Sequence, residues 1–461
     1  MNEENLNQAP QPTAQPTGSA QMQDFNNTYK NDTGKKRNKG LVILLAILCP
    51  LALFGIALAL ILPRLGHDAP DPGPNPLPIP ISYENNGAFS LDFLRQAYAT
   101  DQRGGNILVS PYSMESVWRL ALPGANGETQ QEISTALGGE RTMKKFPQLK
   151  VANAMFVRDS FAPQVKPEFT ANFDGDLRYD SFASAEPINS WVKENTDGMI
   201  DGVLDQAPDN EMMIMLLNAI AMDEKWSDKF ECDNTMSAEF TKTSGDTMDV
   251  SMMGGSAERY FKTENAEGVV REYKAYDDGS AFEFVGILPN GSVREYLDKF
   301  DEAELTAMSE NEIKDGAEES DGSVNKVSVR LPRFSYDYTM PNALGVMQNL
   351  GIKKAFDQEA ADFSNMVDLT GTDYENVYIN QVIQKTHIEL NEAGTKAAAV
   401  SALGMYATSA LDTTKYNYYA VIFNKPFVYM IRDKETKEII FAGVVEVPEE
   451  WSGSTCEGEE D

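Results

Sequence analysis

Histidine is the side chain whose charge changes most readily near neutral pH, and this chain has two. His67 stands in a proline-rich segment, and His387 lies in the run THIEL, where alternation puts it on one side of a strand. A histidine-based nucleophilic triad would have to use His387, yet no G-x-S-x-G elbow accompanies it. A hydrogen-bonded structural histidine is the expectation. Structural zinc needs clustered Cys and His, which are missing. The acidic loops lack the spaced carboxylates and glycine of a calcium loop, and there is no GxxxxGK phosphate loop. The chain has 71 Asp and Glu residues, and nothing selects one pair of them for acid–base work. No catalytic residue, metal or other cofactor is expected, and an enzymatic reading finds no support.

The segment that stands out is bland: NEAGTKAAAVSALGMYATSALDTTKYN, Asn391 to Asn417. It is small and mostly uncharged, with Gly394 near its start. It follows the alternating run VYINQVIQKTHIEL, which reads as a strand. Taken alone, EAGTKAAAVSAL has the propensity of an alanine-rich helix, although a helix so short is marginal in water.

The elements around it belong to one uninterrupted block from Tyr83 to about Pro448. Helical spacing appears in FSLDFLRQAYA, with Phe89, Phe93, Leu94 and Ala97 on one face. Further helices are expected in SMESVWRLAL and in INSWVKENT, the latter ending near Gly198. MMIMLLNAIAM, KVSVRLPRFSYDY, YYAVIFNKPFVYMIRD and IIFAGVVEV read as strands, the last two joined by the polar turn DKETKE. The acid-rich stretch Asp301 to Asp321 reads as a solvated helix and loop. This mixture argues an α+β fold.

A formal charge of -32 argues against nucleic acid, whose phosphates require a basic surface. Leu41 to Leu62, LVILLAILCPLALFGIALALIL, carries no charge and is long enough to span a hydrocarbon core of about 30 Å. Lys35, Lys36, Arg37 and Lys39 precede it, which places the amino terminus in the cytoplasm and the large carboxy-terminal part outside. The run is too long for a cleaved signal peptide, so an uncleaved anchor is expected. Residues 1–34 read as a disordered tail, 35–62 as basic flank and anchor, 63–82 as a Pro-rich spacer, 83–448 as the domain and 449–461 as an acidic tail. The cysteines are Cys49, Cys232 and Cys456. Pairing Cys232 with Cys456 would require the fold to bring a polar tail onto the domain, so free thiols are expected.

Several stretches, in order, resemble the serpin family of serine protease inhibitors. They are NILVSPYSMESVWRLALPGANGETQQEI, VANAMFV, INSWVKENTDG, LLNAIAMDEKWSDKF with a buried Trp226, ILPNG, LPRFSYDY, LGIKKAF, ADFSNM, VIQKTHIELNEAGTKAAA and FNKPFVYMIRD. The resemblance covers roughly Tyr83 to Pro448. It implies three β-sheets, about eight to nine helices and an exposed reactive loop, here preceded by one transmembrane helix, as in a membrane-anchored member of bacterial type. In this family a protease attacks the loop as substrate. The cut loop then enters the main sheet as a strand and carries the acylated protease with it.

The loop sequence permits this. Thr395, Ala397, Ala399, Ser401, Leu403 and Met405 fall on one face, none of them charged, while Lys396 falls on the other with Ala398. A slip of one residue would bury Lys396, at a cost of several kcal/mol. Glu392 and Gly394 open the hinge, where glycine supplies backbone freedom. Family spacing implies Thr408–Ser409 as the scissile bond (394 + 14 = 408). Its small residues point to elastase-like or subtilisin-like partners with shallow or tolerant pockets. The resemblance also implies a small polar group beneath the main sheet that controls its opening: Ser110, Ser113 and Asn189, with Gln384 where the family usually has histidine. A non-inhibitory surface binding protein or plain protease substrate is the alternative. The protein is expected to be a monomer, with membrane contact through residues 41–62 and no nucleic-acid partner.

Overall fold

The computed structural model describes residues 86–395 and 414–453, all within one compact unit, Pro78–Asp461. The expected anchor at 41–62, the spacer and the acidic tail beyond 453 lie outside the described residues. Among the described residues no helix is long and apolar enough to cross a membrane.

Three expected helices form. Asn86–Thr100 buries Phe89, Phe93, Leu94 and Ala97, the face that its spacing marked. Pro111–Ala121 starts on Ser110, whose side chain accepts from the Ser113 N–H, with Pro111 in the first turn where a missing donor costs nothing. Glu186–Asn195 ends at Gly198, whose positive φ lets its N–H return to the Lys193 carbonyl at 2.8 Å. In the acid-rich stretch the helix is Glu302–Glu310. It is not wholly solvated: Glu304 is buried and accepts from Thr263 Oγ1 at 2.6 Å and Asn265 Nδ2 at 2.9 Å.

The strands run β1 (Ile107–Val109), β2 (Lys150–Arg158), β3 (Asp176–Asp180), β4 (Ile214–Ala221), β5 (Glu224–Lys225), β6 (Met236–Thr241), β7 (Thr247–Ser256), β8 (Arg259–Lys262) and β9 (Ala266–Glu272). They continue as β10 (Phe282–Pro289), β11 (Ile313–Lys314), β12 (Ser323–Pro332), β13 (Phe334–Thr339), β14 (Val382–Leu390), β15 (Gly394–Thr395), β16 (Lys415–Ile422), β17 (Phe427–Asp433) and β18 (Ile439–Val445). They form three sheets. One has the order β1-β18-β17-β10-β9-β8-β11, and a four-stranded sheet has the order β16-β12-β7-β6. The main sheet has the order β3-β2-β4-β14-β15-β5, with β13 also paired to β14.

Two runs expected to be single strands are each broken and shared between sheets. KVSVRLPRFSYDY becomes β12 and β13, the break falling after Pro332, which has no N–H to continue a ladder. YYAVIFNKPFVYMIRD divides at Pro426 into β16 and β17 in the same way. The hairpin β17–β18 forms across DKETKE as expected. Cys232 is disulfide-bonded, contrary to the free thiol expected. Sequence spacing cannot show which segments a fold brings within bonding distance.

Candidate functional site

The main sheet has a seam. β4 and β14 run parallel and pair directly, Val382 with Leu216 through Thr386 with Ile220. Beyond that point the two-residue strand β15 lies between β14 and β5, antiparallel to both, with Thr395 opposite Leu390 and Glu224, and Gly394 opposite Lys225. The chain reverses over Asn391–Gly394, closed by the Asn391 N–H to the Gly394 carbonyl at 3.0 Å.

The hinge residues are held from several directions. Trp226 and Phe230 donate backbone N–H groups to the Ala393 and Glu392 carbonyls, both at 2.9 Å, and Trp226 Nε1 donates to the Asn391 carbonyl at 3.0 Å. The Glu392 carboxylate is buried and receives Arg333 Nε at 2.9 and 3.0 Å, Arg333 Nη2 at 2.6 Å and Thr235 Oγ1 at 2.5 Å. Such a charge-assisted fork fixes direction as well as position. Thr395 is 1% exposed, its Oγ1 2.7 Å from the Tyr273 hydroxyl. Tyr273 is stacked on Trp226 at 4.5 Å, and burial holds its phenol above the ordinary range. Arg271 lies beneath, its guanidinium 3.9 Å from the Phe230 ring and 5.2 Å from that of Trp226. Burial lowers its pKa. Glu224, beside Thr395, is pushed up to about 7 by burial and then by Asp223.

The structure gives Gly394 a role the sequence did not suggest. Its backbone is extended, and a Cβ there would stand 2.1 Å from the Glu224 carbonyl oxygen and 2.7 Å from Lys225 Cα. Glycine is required because two backbones approach closely.

Lower in the seam, Ser110, Ser113 and Gln384 come together, all fully buried. Gln384 accepts from the Ser110 N–H at 3.1 Å and returns Nε2–H to the Ser110 carbonyl at 2.9 Å. Ser110 Oγ donates to the Ile440 carbonyl at 2.7 Å and accepts from the Ser113 N–H at 3.2 Å. Asn189 is elsewhere: its side chain bonds Val203 and Leu204, from 2.8 to 3.0 Å. The asparagine in the cluster is Asn218. It accepts from Gln384 Nε2 at 3.1 Å and donates to the Ser113 carbonyl at 3.0 Å, to Ser113 Oγ, and to Asn153 Oδ1 at 2.6 Å. Gln384 and Asn218 are register partners across β14 and β4, so their bond spans the seam itself. The available signal was the single polar residue in IMLLNAIA, whose eight residues are all buried. His387 is hydrogen-bonded, with Nδ1 2.7 Å from Asp337 Oδ1. Ala397, Ala398, Ala399, Ser401, Thr408 and Ser409 lie outside the described residues.

The arrangement is a sheet whose entrance is filled by β15 and whose seam is closed by the pairing of β4 with β14.

A family model described as "Serpin (serine protease inhibitor)" matches residues 84–448. The chain is 30% identical over 402 residues to the leukocyte elastase inhibitor of Sus scrofa, covering 79% of this chain and 98% of that one. It is 29% identical over 387 residues to neuroserpin of Homo sapiens, covering 77% and 89% respectively. Among solved structures it is similar to the thermophilic serpin tengpin in the native state, with a TM-score of 0.67, 28% identity, and coverage of 79% of this chain and 94% of that one.

Proposed function

The chain belongs to the serpin family of serine protease inhibitors, and from that premise we propose that it acts as a suicide substrate. A protease cuts the loop at Thr408–Ser409, and the freed segment from Lys396 onward enters between β4 and β14. The observation that carries this reading is the entrance: Thr395 is buried between β14 and β5 while β14 and β4 are still paired. On this reading the inserting strand already has its first two residues in place. Entry replaces a parallel seam by two antiparallel ladders, the more stable pairing per residue. The alternation from Thr395 onward keeps charge off the buried face throughout.

The targets on this reading are elastase-like or subtilisin-like proteases with shallow or tolerant primary pockets, because Ala407, Thr408, Ser409 and Ala410 are all small. The domain is held at the cell surface by the apolar run 41–62, with its bulk outside. A disulfide at Cys232 is at home in such an oxidising compartment. Protease added to intact cells should reach the domain from Tyr83 onward, and protection until lysis would refute the orientation.

Incubation with purified elastase-like and subtilisin-like proteases tests the inhibitory reading. A trapping inhibitor gives a complex that survives boiling in detergent. Clipped chain alone, with every protease, would identify a non-inhibitory surface protein or substrate instead.

A further inference from the structure

In the four-stranded sheet, Val327, Val329 and Val421 point inward and are buried. The opposite row should be polar in a sheet with one solvated face. It is only partly so. Among the described residues the large exposed hydrophobics are Tyr179, Met236, Tyr418, Ile422 and Val447. Tyr418 at 77% and Ile422 at 45% lie on β16, and Met236 at 45% lies on β6 of the same sheet.

The register joins them to cations. Tyr418 is beside Lys326, and Ile422 is beside Arg330. Arg330 Nη1 reaches Met236 Sδ at 3.7 Å, and Lys326 Nζ lies 5.8 Å from the centre of the Tyr416 ring. Lys326 and Arg330 are exposed. In a chain of formal charge -32, this face mixes tyrosine, aliphatic and basic side chains, and aromatic residues with arginine dominate binding hot spots. β16 is also the sheet's edge.

We propose that this outer face, carried by Met236, Lys326, Arg330, Tyr418 and Ile422, docks the body of the attacking protease. The chemistry that fits it is an acidic patch around an apolar depression. This inference rests on the proposed reactive bond. Ser409 precedes Lys415 by six residues (415 - 409 = 6), so at full extension the bond lies within about 20 Å of the start of β16. A protease of ordinary domain size is roughly 40 Å across, so one seated on that bond reaches the sheet. Contact there would raise the rate of encounter without changing the loop, because complementary charge acts mainly on association.

Two pairs of exposed substitutions test this: Tyr418→Ser with Ile422→Thr, and Lys326→Glu with Arg330→Glu. The readout is the second-order rate of loop cleavage or complex formation across a panel of subtilisin-like and elastase-like proteases. Hydrolysis of a free peptide spanning residues 396–413 reports each protease's intrinsic preference. With at least one protease that attacks the loop, each pair should slow the reaction on the order of tenfold, typical of losing one hot-spot contact. The charge pair should lose more at low salt than at high salt, and the fraction of complex per cleavage should be unchanged. Rates within about twofold of the parent for every protease, judged against the tenfold expected per hot spot, would overturn the proposal. A parent dimer abolished by Tyr418→Ser with Ile422→Thr, with protease rates unchanged, would also overturn it by assigning the face to a second copy. If the parent is clipped without trapping, the suicide-substrate reading fails, while docking is still decided by the clipping rates.

Discussion

On the proposed mechanism Thr395 keeps its place when the loop inserts, and this separates two substitutions that would otherwise look alike. Thr395→Val keeps shape but leaves the Tyr273 hydroxyl without the 2.7 Å partner it now has. That costs about 1–2 kcal/mol of stability, and the cost is common to the starting and inserted states, so trapping should be unaffected. Thr395→Arg behaves differently. The position is 1% exposed, and buried Arg271 already bears on Tyr273, so a second cation would cost several kcal/mol. The uncut protein escapes by releasing the hinge, losing the Thr395–Tyr273 bond and the ladder to β5 and β14, at roughly 1 kcal/mol per hydrogen bond or about 3 kcal/mol altogether. The inserting strand has no such escape. A barrier raised by about 3 kcal/mol slows insertion on the order of a hundredfold, and hydrolysis then outruns it. On denaturing gels with an elastase-like protease, Thr395→Arg should yield clipped chain, and Thr395→Val should yield the parent's fraction of complex with a lower Tm. Equal complex yields from Thr395→Arg and parent, or loss of trapping in Thr395→Val, would refute the assigned register.

Further outcomes concern the seam and the loop. Glu224 is pushed up to about 7 from an ordinary value of 4.5, so its contribution to stability is full below pH 4.5 and is lost as pH rises through 7. Allowing for partial hydration, Glu224→Gln should be the more stable by about 1–2 kcal/mol at pH 8 and show no such gain at pH 4.5; a gain independent of pH would refute burial as the cause. Asn218→Ala removes the side-chain bond across the seam and leaves Gln384 Nε2 one partner short, so Tm should fall and spontaneous insertion during heating should quicken. Asn189→Ala should lower Tm without quickening it, and equal insertion rates in the two variants would deny Asn218 its place in the seam. Mass spectrometry of the carboxy-terminal fragment released by an elastase-like protease should show Ser409 as its first residue, and a start at Leu411 or beyond would refute the assigned bond.

Periodicity could find what is local. The faces of the helices Asn86–Thr100 and Pro111–Ala121 and the β17–β18 hairpin all follow from spacing along one element. Strand ends were less legible, because a proline inside an apolar run ends one ladder while the chain continues into another sheet, as at Pro332 and Pro426. The polar cluster was half legible. Ser110 and Ser113 share a helix start, but their partners come from β14, β4 and β2, and only sheet register places Gln384 beside Asn218 and Asn218 beside Asn153. Asn189 lies on a helix, and its amide is consumed by the backbone of Val203 and Leu204 beyond that helix, a fact that composition cannot display.

The physical logic of the seam follows from that register. With apolar side chains throughout, the β4–β14 seam would hold by its backbone ladder and packing and could open gradually along its length. The Gln384–Asn218 bond is buried and directional, and breaking it leaves two amides to find other partners, so the seam tends to be shut or open with little between. Gln384 carries no charge at any ordinary pH, so this latch does not titrate. An ionisable group at the entrance is Glu224, opposite Thr395. On the proposed mechanism entry and closure would rest on different chemistry, the first sensitive to pH near neutrality and the second indifferent to it. Measuring the insertion rate of the parent and of Gln384→His between pH 6 and 8 separates the two: the parent should follow the titration of Glu224 alone, and the histidine variant should add a second step that Glu224→Gln does not remove. A parent profile that is flat over this range would show that Glu224 has no part in entry.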